Sequence, residues 1–184
     1  GVANKSVAYF GCGCFWHVQN QLVESLEEKL LHREGQGLTA FTGYAGGTSV
    51  GEAGRVCYHN FFGTADYGEM GHAEVVSLAL PDEDVKTAAG VYLDEVCHGG
   101  VRRDIADQGS EYRSLAGFKG GLNSTAGAAF AAEARKRGVQ VKAGKGADPD
   151  ESGTVYVMDT AEFPFHQAEL YHQFHDDMRE TYSS

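Results

Sequence analysis

Cys14 and Glu74 are the two side chains whose settings suggest chemistry. Cys14 lies in Gly11-Cys12-Gly13-Cys14-Phe15-Trp16, where a short apolar run, Ser6 to Phe10, hands over to a helical pattern. A thiol at a helix N-terminus faces unpaired backbone N–H groups and the positive end of the helix dipole, and both favour the thiolate. The competing reading is a small buried hydrophobe, and spacing alone weighs the two about equally. Glu74 sits in His72 to Leu80 (HAEVVSLAL), the strongest strand pattern in the chain. Period two puts it on the face that carries Val76, Leu78 and Leu80. A carboxylate on an apolar face is costly unless neutral or paired, and desolvation drives it toward the protonated acid that proton donation near neutral pH requires. The competing reading places it at the strand end, in water or against an Arg.

Other residues carry weaker signals. Phe15 and Trp16 follow the cysteine and read as core aromatics by default, or as an apolar wall suited to a small group such as a methyl. The eight histidines invite a metal reading through Cys57-x-His59, Cys97-His98 and His166, His172, His175. None of these has the paired Cys-x-x-Cys or His-x3-5-His spacing of a zinc site, so no metal is expected. Cys12 and Cys14 form a C-x-C pair whose bridging closes a small strained ring, so only transient pairing is expected.

The elements that must position these groups follow from pattern. Ser6 to Phe10 reads as a strand. Phe15, Val18, Leu22, Leu26 and Leu30 recur at helical spacing, with Gly35 and Gly37 ending that helix. Thr39 to Tyr44 reads as a second strand, and the glycine-rich stretch from Gly46 to Gly71 as one long loop of the kind that is usually functional or mobile. His72 to Leu80, apolar on both faces, is expected at the centre of its sheet. Asp84 starts a helix with Val85, Ala88, Tyr92 and Val96 on its buried face, closed by Gly99-Gly100. Ser124 N-caps an Ala-rich helix ending at Gly138. Val139 to Lys142 and Thr154 to Met158 are further strands, and Pro164 is expected to open a last helix with Ala168, Tyr171, Phe174 and Met178 inward. Strands and helices mix without strict alternation, which predicts an α+β sandwich with a mixed β-sheet in a single domain spanning residues 1–184.

Bulk properties exclude several classes. The net charge is −11, and basic residues cluster only around Lys119 and Arg135-Lys136-Arg137, so no nucleic-acid or anionic-membrane partner is expected. The longest apolar runs are too short to cross a bilayer. Four cysteines, irregularly spaced, fit a reactive thiol in a reducing compartment better than a disulfide scaffold, which points to the cytoplasm or an organellar stroma or matrix. Neither a signal peptide nor a transit peptide is expected at the start of the chain.

Several stretches, in order, resemble methionine sulfoxide reductase A: Gly13 to Trp16 (GCFW), Gly43 to Gly47 (GYAGG), Val56-Cys57, Gly71 to Val76 (GHAEVV), Tyr112-Arg113-Ser114 (YRS), and Ala168-Glu169 with Tyr171-His172-Gln173. The match runs from about Val7 to Phe174, and GCFW with GHAEVV is its most specific part. The resemblance implies a two-layer α+β fold, ferredoxin-like in kind, and reduction of methionine-S-sulfoxide, peptide-bound or free, in repair of oxidative damage. It assigns Cys14 as nucleophile and Glu74 as general acid. Tyr44 and Tyr112 would donate hydrogen bonds to the sulfoxide oxygen, Asp107 would order the site, and Phe15 and Trp16 would hold the substrate methyl. Cys14 would end as a sulfenic acid, with no bound cofactor and an external thiol reductant: thioredoxin, glutaredoxin or glutathione. A monomer is expected.

Three features depart from the family. No cysteine follows Tyr171, so an external thiol reduces Cys14, or one of Cys12, Cys57 and Cys97 resolves it, with Cys57 the first internal candidate. The stretch from Tyr58 to Met70 is longer than the family's, and Glu111 stands where glutamine is usual, adding negative charge beside Tyr112. A metal-binding module or metal-dependent enzyme built on Cys57, His59, Cys97 and the C-terminal histidines, and a low-turnover redox sensor or interaction protein, are the competing function classes.

Overall fold

The computed structural model describes residues 6–102 and 104–174. Its strands are β1 (Val7–Gly11), β2 (Phe41–Ala45), β3 (Ala73–Ala79), β4 (Leu115–Phe118), β5 (Gln140–Ala143), β6 (Thr154–Asp159) and β7 (His166–Gln167). They form one seven-stranded sheet in the order β5-β6-β4-β1-β3-β2-β7. The β5–β6 and β6–β4 pairs are parallel and the other pairs antiparallel, so the sheet is mixed, as the pattern predicts. β3 lies between β1 and β2, and its continuous burial matches a run that is apolar on both faces.

Helices cover one face. Helix α1 (Phe15–Gln21) continues as a π-helical stretch over Leu22–Glu28; α2 (Val85–Val91) likewise continues through Tyr92–Val96, and α3 spans Thr125–Lys136. Ser124 caps α3 as expected, its hydroxyl accepting the Gly127 N–H at 2.9 Å. Phe10 from β1, Tyr92, Phe118 and Phe130 meet with ring centroids 5.3–6.3 Å apart. Each such buried ring contributes about 1.5–3 kcal/mol, so this cluster fastens α2 and α3 to the sheet. On the opposite face Tyr9, Val75, Leu115, Tyr156, Met158 and Phe163 form a smaller core. The result is a two-layer α+β arrangement, borne out as expected.

Four local expectations need correction. The first helix stops at Lys29, short of Gly35, and Leu30 is 43% exposed, because the π register carries it off the buried face. β4 was not anticipated: four residues ending in Gly-Phe carry too little period to register. Pro164 opens no helix through residue 174. Instead β7 pairs with β2, and a single turn follows at Leu170–His172. The edge of β2 takes this segment by its main-chain groups, with the Ala168 N–H donating to the Thr42 carbonyl at 2.9 Å and the Thr42 N–H donating to the side-chain Oε1 of Gln173 at 2.9 Å. The residues buried there are Ala168, His172 and Gln173, which is not a helix face, while Tyr171 is 60% exposed. Met178 and His175 lie outside the described residues. Finally, Cys12 is joined in a disulfide to Cys97, a pairing that spacing does not suggest, and not to Cys14.

Candidate active site

The β1–α1 turn places Cys14 as the N-cap of α1, with extended backbone and no side-chain cap bond. The first N–H groups of a helix have no internal partner, and here two different groups use them. The Phe15 N–H donates to Glu74 Oε2 at 2.9 Å, while those of Trp16 and His17 lower the pKa of the Cys14 thiol. The Cys14 N–H donates to Asp107 Oδ2 at 3.0 Å, and the Gly13 N–H to the Tyr112 carbonyl at 3.0 Å. Gly13 has φ +75, and a Cβ there would lie 2.9 Å from Asp107 Oδ2, so the turn needs glycine on both counts. Nucleophile candidate, carboxyl and Asp107 are thus brought to one turn.

Glu74 is 2% exposed. Its Oε1 accepts the Tyr67 hydroxyl at 3.1 Å. Burial raises its pKa to about 7 despite the Phe15 and Tyr67 hydrogen bonds, and the nearby Asp107 and Glu111 charges push the same way. The Cys14 thiol is pushed up to about 12, first by burial and then by Glu74 and Asp107, against the lowering by the Trp16 and His17 N–H groups. The thiolate expected from a helix start is therefore reversed: two neighbouring carboxyls and desolvation outweigh the helix end.

The tyrosines sort differently from expectation. Tyr44 pairs with Glu74 across β2–β3, but its hydroxyl donates to Glu169 Oε2 at 2.8 Å. Tyr67, which pattern reading missed, holds the hydroxyl against Glu74; it stacks on Tyr44 with centroids 4.7 Å apart. Tyr112 is half-buried; burial first, and then Glu74, Tyr58, Asp107 and Cys14, raise its pKa, which places it among them. The only hint of Tyr67 in the sequence is a concentration of aromatics, Tyr58, Phe61, Phe62 and Tyr67, in an aperiodic loop.

Phe15 is buried and Trp16 half-buried. Tyr58 from the long loop stacks over Phe15 at 6.5 Å and lies 4.5 Å from His172, which itself stacks on Trp16 at 5.8 Å. Glu169 fastens this cover, accepting the Tyr58 N–H at 2.9 Å on the carboxylate that also holds Tyr44. Its pKa is lowered: burial alone would raise it, but the Tyr58 N–H and Tyr44 hydroxyl outweigh that. His59 joins the loop to the segment before β4, bridging Asp66 at 2.8 Å and Glu111 at 3.0 Å.

Two motif residues are structural. Buried Arg113 donates to the carbonyls of Gly46, Gly71 and Ser110 at 2.7–3.1 Å, tying three loops together. His72 accepts the Gly47 N–H on Nδ1 at 3.0 Å, so Nε2 carries the proton that reaches the Ser49 carbonyl at 2.8 Å. Burial first, with His166 and Arg113 adding to it, lowers its pKa to about 4, which keeps that ring neutral.

The proposed metal ligands do not converge. Cys97 is bonded to Cys12, His59 is engaged by Asp66 and Glu111, and among the described residues no three His, Cys, Asp or Glu side chains are grouped to hold an ion. Cys57 is a free, half-buried thiol at the start of the loop. A concavity of about 630 Å³ lies at the other end of β1 and β3, lined by Val7, Leu80, Pro81 and Lys119, away from every motif residue. No helix among the described residues is long and apolar enough to cross a membrane.

No family model and no curated protein matches the sequence. Among solved structures, the chain is similar to Mxr1 from Saccharomyces cerevisiae in reduced form, with TM-score 0.58 and 20% identity over 91% of this chain and 81% of that one. It is also similar to methionine sulfoxide reductase A of Corynebacterium diphtheriae, with TM-score 0.56 and 16% identity over 91% of this chain and 72% of that one. What is shared at these identities is the fold, and it is the fold that the motif resemblance implies.

Proposed function

We propose that the protein is a thiol-dependent reductase of methionine-S-sulfoxide, with Cys14 as nucleophile and Glu74 as general acid. One observation carries this reading. A buried carboxyl with a pKa of about 7 accepts the N–H of the residue that follows the only cysteine of the β1–α1 turn left as a free thiol. A proton donor and a nucleophile set side by side suit a substrate whose oxygen must be protonated while its sulfur is attacked. The fold shared with a protein named methionine sulfoxide reductase A, and the GCFW and GHAEVV stretches that supply this pair, support the same assignment.

The chemistry balances with these two groups. The Cys14 sulfur attacks the substrate sulfur, Glu74 protonates the sulfoxide oxygen, and the Cys14 proton passes to the carboxylate so formed. The sulfur–sulfur adduct collapses with the hydroxyl oxygen moving to Cys14, releasing methionine and leaving a sulfenic acid. The substrate gains two electrons and Cys14 loses two. Tyr112 is the hydroxyl left to share the oxygen's charge, with Tyr67 donating to Glu74 and Tyr44 to Glu169. Asp107 fixes the turn through the Cys14 N–H. Trp16, Phe15, Tyr58 and His172 supply the apolar side for the methyl. An external thiol, in a reducing compartment, returns the enzyme to its starting state.

The test is single-turnover reduction of a methionine-S-sulfoxide substrate without reductant, with Cys12 and Cys97 joined. One methionine formed per chain, with one thiol lost, and none from Cys14→Ser, is the expected result. No methionine from the wild-type chain would overturn the reading.

A further inference from the structure

The Cys12–Cys97 disulfide lies two residues from the nucleophile, and its exposure is inverted relative to it. Cys12 is 5% exposed and Cys97 is 0%, whereas Cys14 is half-buried. No external protein thiol reaches the buried pair directly. Gly13, at φ +75, folds the chain back between Cys12 and Cys14, so the segment is not extended. Cys12 and Cys14 both line one small recess between the β1–α1 turn and the end of the α2 extension, together with His17, Glu95, Val96 and Asp107. Ser114, at the start of β4, sets its hydroxyl 3.3 Å from the Cys97 sulfur and 3.6 Å from the Cys12 sulfur, placed to donate to whichever is the thiolate during exchange.

We propose that Cys12 is the resolving thiol of Cys14 and that Cys12–Cys97 is an internal store for the oxidising equivalents, filled and emptied only through Cys14. The proposal rests on Cys14 being the sulfoxide-reducing nucleophile. With all three cysteines reduced, the Cys12 thiol attacks the Cys14 sulfenic acid, forming a Cys12–Cys14 disulfide and releasing water. Cys97 then attacks the Cys12 sulfur, the Cys12–Cys97 bond forms, and Cys14 leaves as the thiolate and takes up the Cys97 proton. Cys14 is free for a second turnover. Recovery runs backwards: the Cys14 sulfur attacks Cys12 as its proton passes to the departing Cys97 sulfur, and an external dithiol attacks Cys14, releasing Cys12 and then Cys14 and becoming a disulfide itself. The short-lived Cys12–Cys14 ring is strained, which favours passing the bond on to Cys97.

The deciding experiment needs no sulfoxide. The oxidised, folded protein is treated with dithiothreitol under native conditions, and Cys12–Cys97 opening is followed by quenched alkylation and mass spectrometry. Opening at least tenfold slower in Cys14→Ser and in Cys14→Ala than in the wild type is expected. Equal rates would overturn the proposal, as would a disulfide that stays closed in the wild type too, since it would then be a structural cross-link. The stoichiometry then checks the forward path. Pre-reduced wild type yields two methionines per chain without reductant and ends with Cys12–Cys97 joined, whereas Cys12→Ser yields one. Failure of the sulfoxide chemistry shows separately, as no methionine from any form, and leaves the exchange rates to decide.

Discussion

Two buried carboxyls flank the first helix, and they are treated in opposite ways. Glu27, fully buried near its C-terminal end, accepts from Arg33 Nη1 at 3.0 Å, from the Thr39 hydroxyl at 2.6 Å, and from the N–H groups of Thr39 and Ala40 at 2.7–3.1 Å. Glu74, buried at the N-terminal end, is held among the described residues by one N–H and one hydroxyl, and faces no cation. Glu27 gets an ion pair and a full set of donors, and through them it joins the helix to the next strand. Glu74 gets enough to be placed but not enough to stay charged, so it holds a proton near neutrality. Burial alone does not mark a catalytic acid. Burial with too few partners marks a candidate for one.

The largest effect expected from breaking this contrast is on turnover. Glu74→Gln keeps an acceptor for the Phe15 N–H but cannot give a proton, and kcat/KM should fall by about 10²–10⁴-fold while the fold stays intact. Near-normal turnover would remove Glu74 from the mechanism. Glu27→Ala should do the reverse. It takes the carboxylate from Arg33, which keeps only Thr39 and the Ala79 carbonyl, and leaves the N–H groups of Thr39 and Ala40 without their acceptor, so unfolding free energy should drop by about 3–5 kcal/mol in denaturant titration. Turnover per folded molecule should be unchanged. A large loss of specific activity in Glu27→Ala would mean that the two ends of the helix are coupled.

A third effect is visible only against pH. Glu74 has a folded pKa of about 7 against an ordinary 4.5, so the native state binds more protons than the unfolded chain between those values. The stability contributed by its neutral form is full below about pH 4.5 and is lost as pH rises through 7, a total of about 3 kcal/mol. Glu74→Gln should gain on the wild type across that window and stay level with it below. A constant difference at all pH values would show that Glu74 does not titrate there.

Sequence made one end of this comparison visible and hid the other. Glu74 was legible because strand alternation places it among Val76, Leu78 and Leu80, where a charge is costly. Glu27 was not, because a glutamate on an amphipathic helix ordinarily faces water. Its partners come from the turn beyond the helix, and the π register turns it inward. Tyr67 comes from an aperiodic loop, which has no period to read. Cys12 and Cys97 stand 85 residues apart, and no spacing rule pairs them. The closing segment misled because Pro164 and apolar residues three apart imitate a helix, while the chain spends its main-chain groups on the edge of β2. The mixed sheet was legible in outline, since β1, β2, β3, β5 and β6 have their own apolar run and turn residues, whereas β4 and β7 do not.

The smallest effect, and the sharpest on the tyrosines, separates Tyr67 from Tyr44. Both rings stack together, yet only Tyr67 donates to Glu74, while Tyr44 donates to Glu169. Losing one hydrogen bond to a charged group is worth about 1.5 kcal/mol, so Tyr67→Phe should lower kcat about tenfold. The Tyr67 hydroxyl also favours the ionised form of Glu74. Its removal should therefore shift the alkaline limb of the pH–rate profile upward, because the acid then keeps its proton to higher pH. Tyr44→Phe leaves Glu74 its donor, so the limb should stay in place and the cost should fall on KM through a looser Tyr58 cover. A limb that moves in Tyr44→Phe but not in Tyr67→Phe would exchange the two roles, making Tyr44 the hydroxyl that holds Glu74.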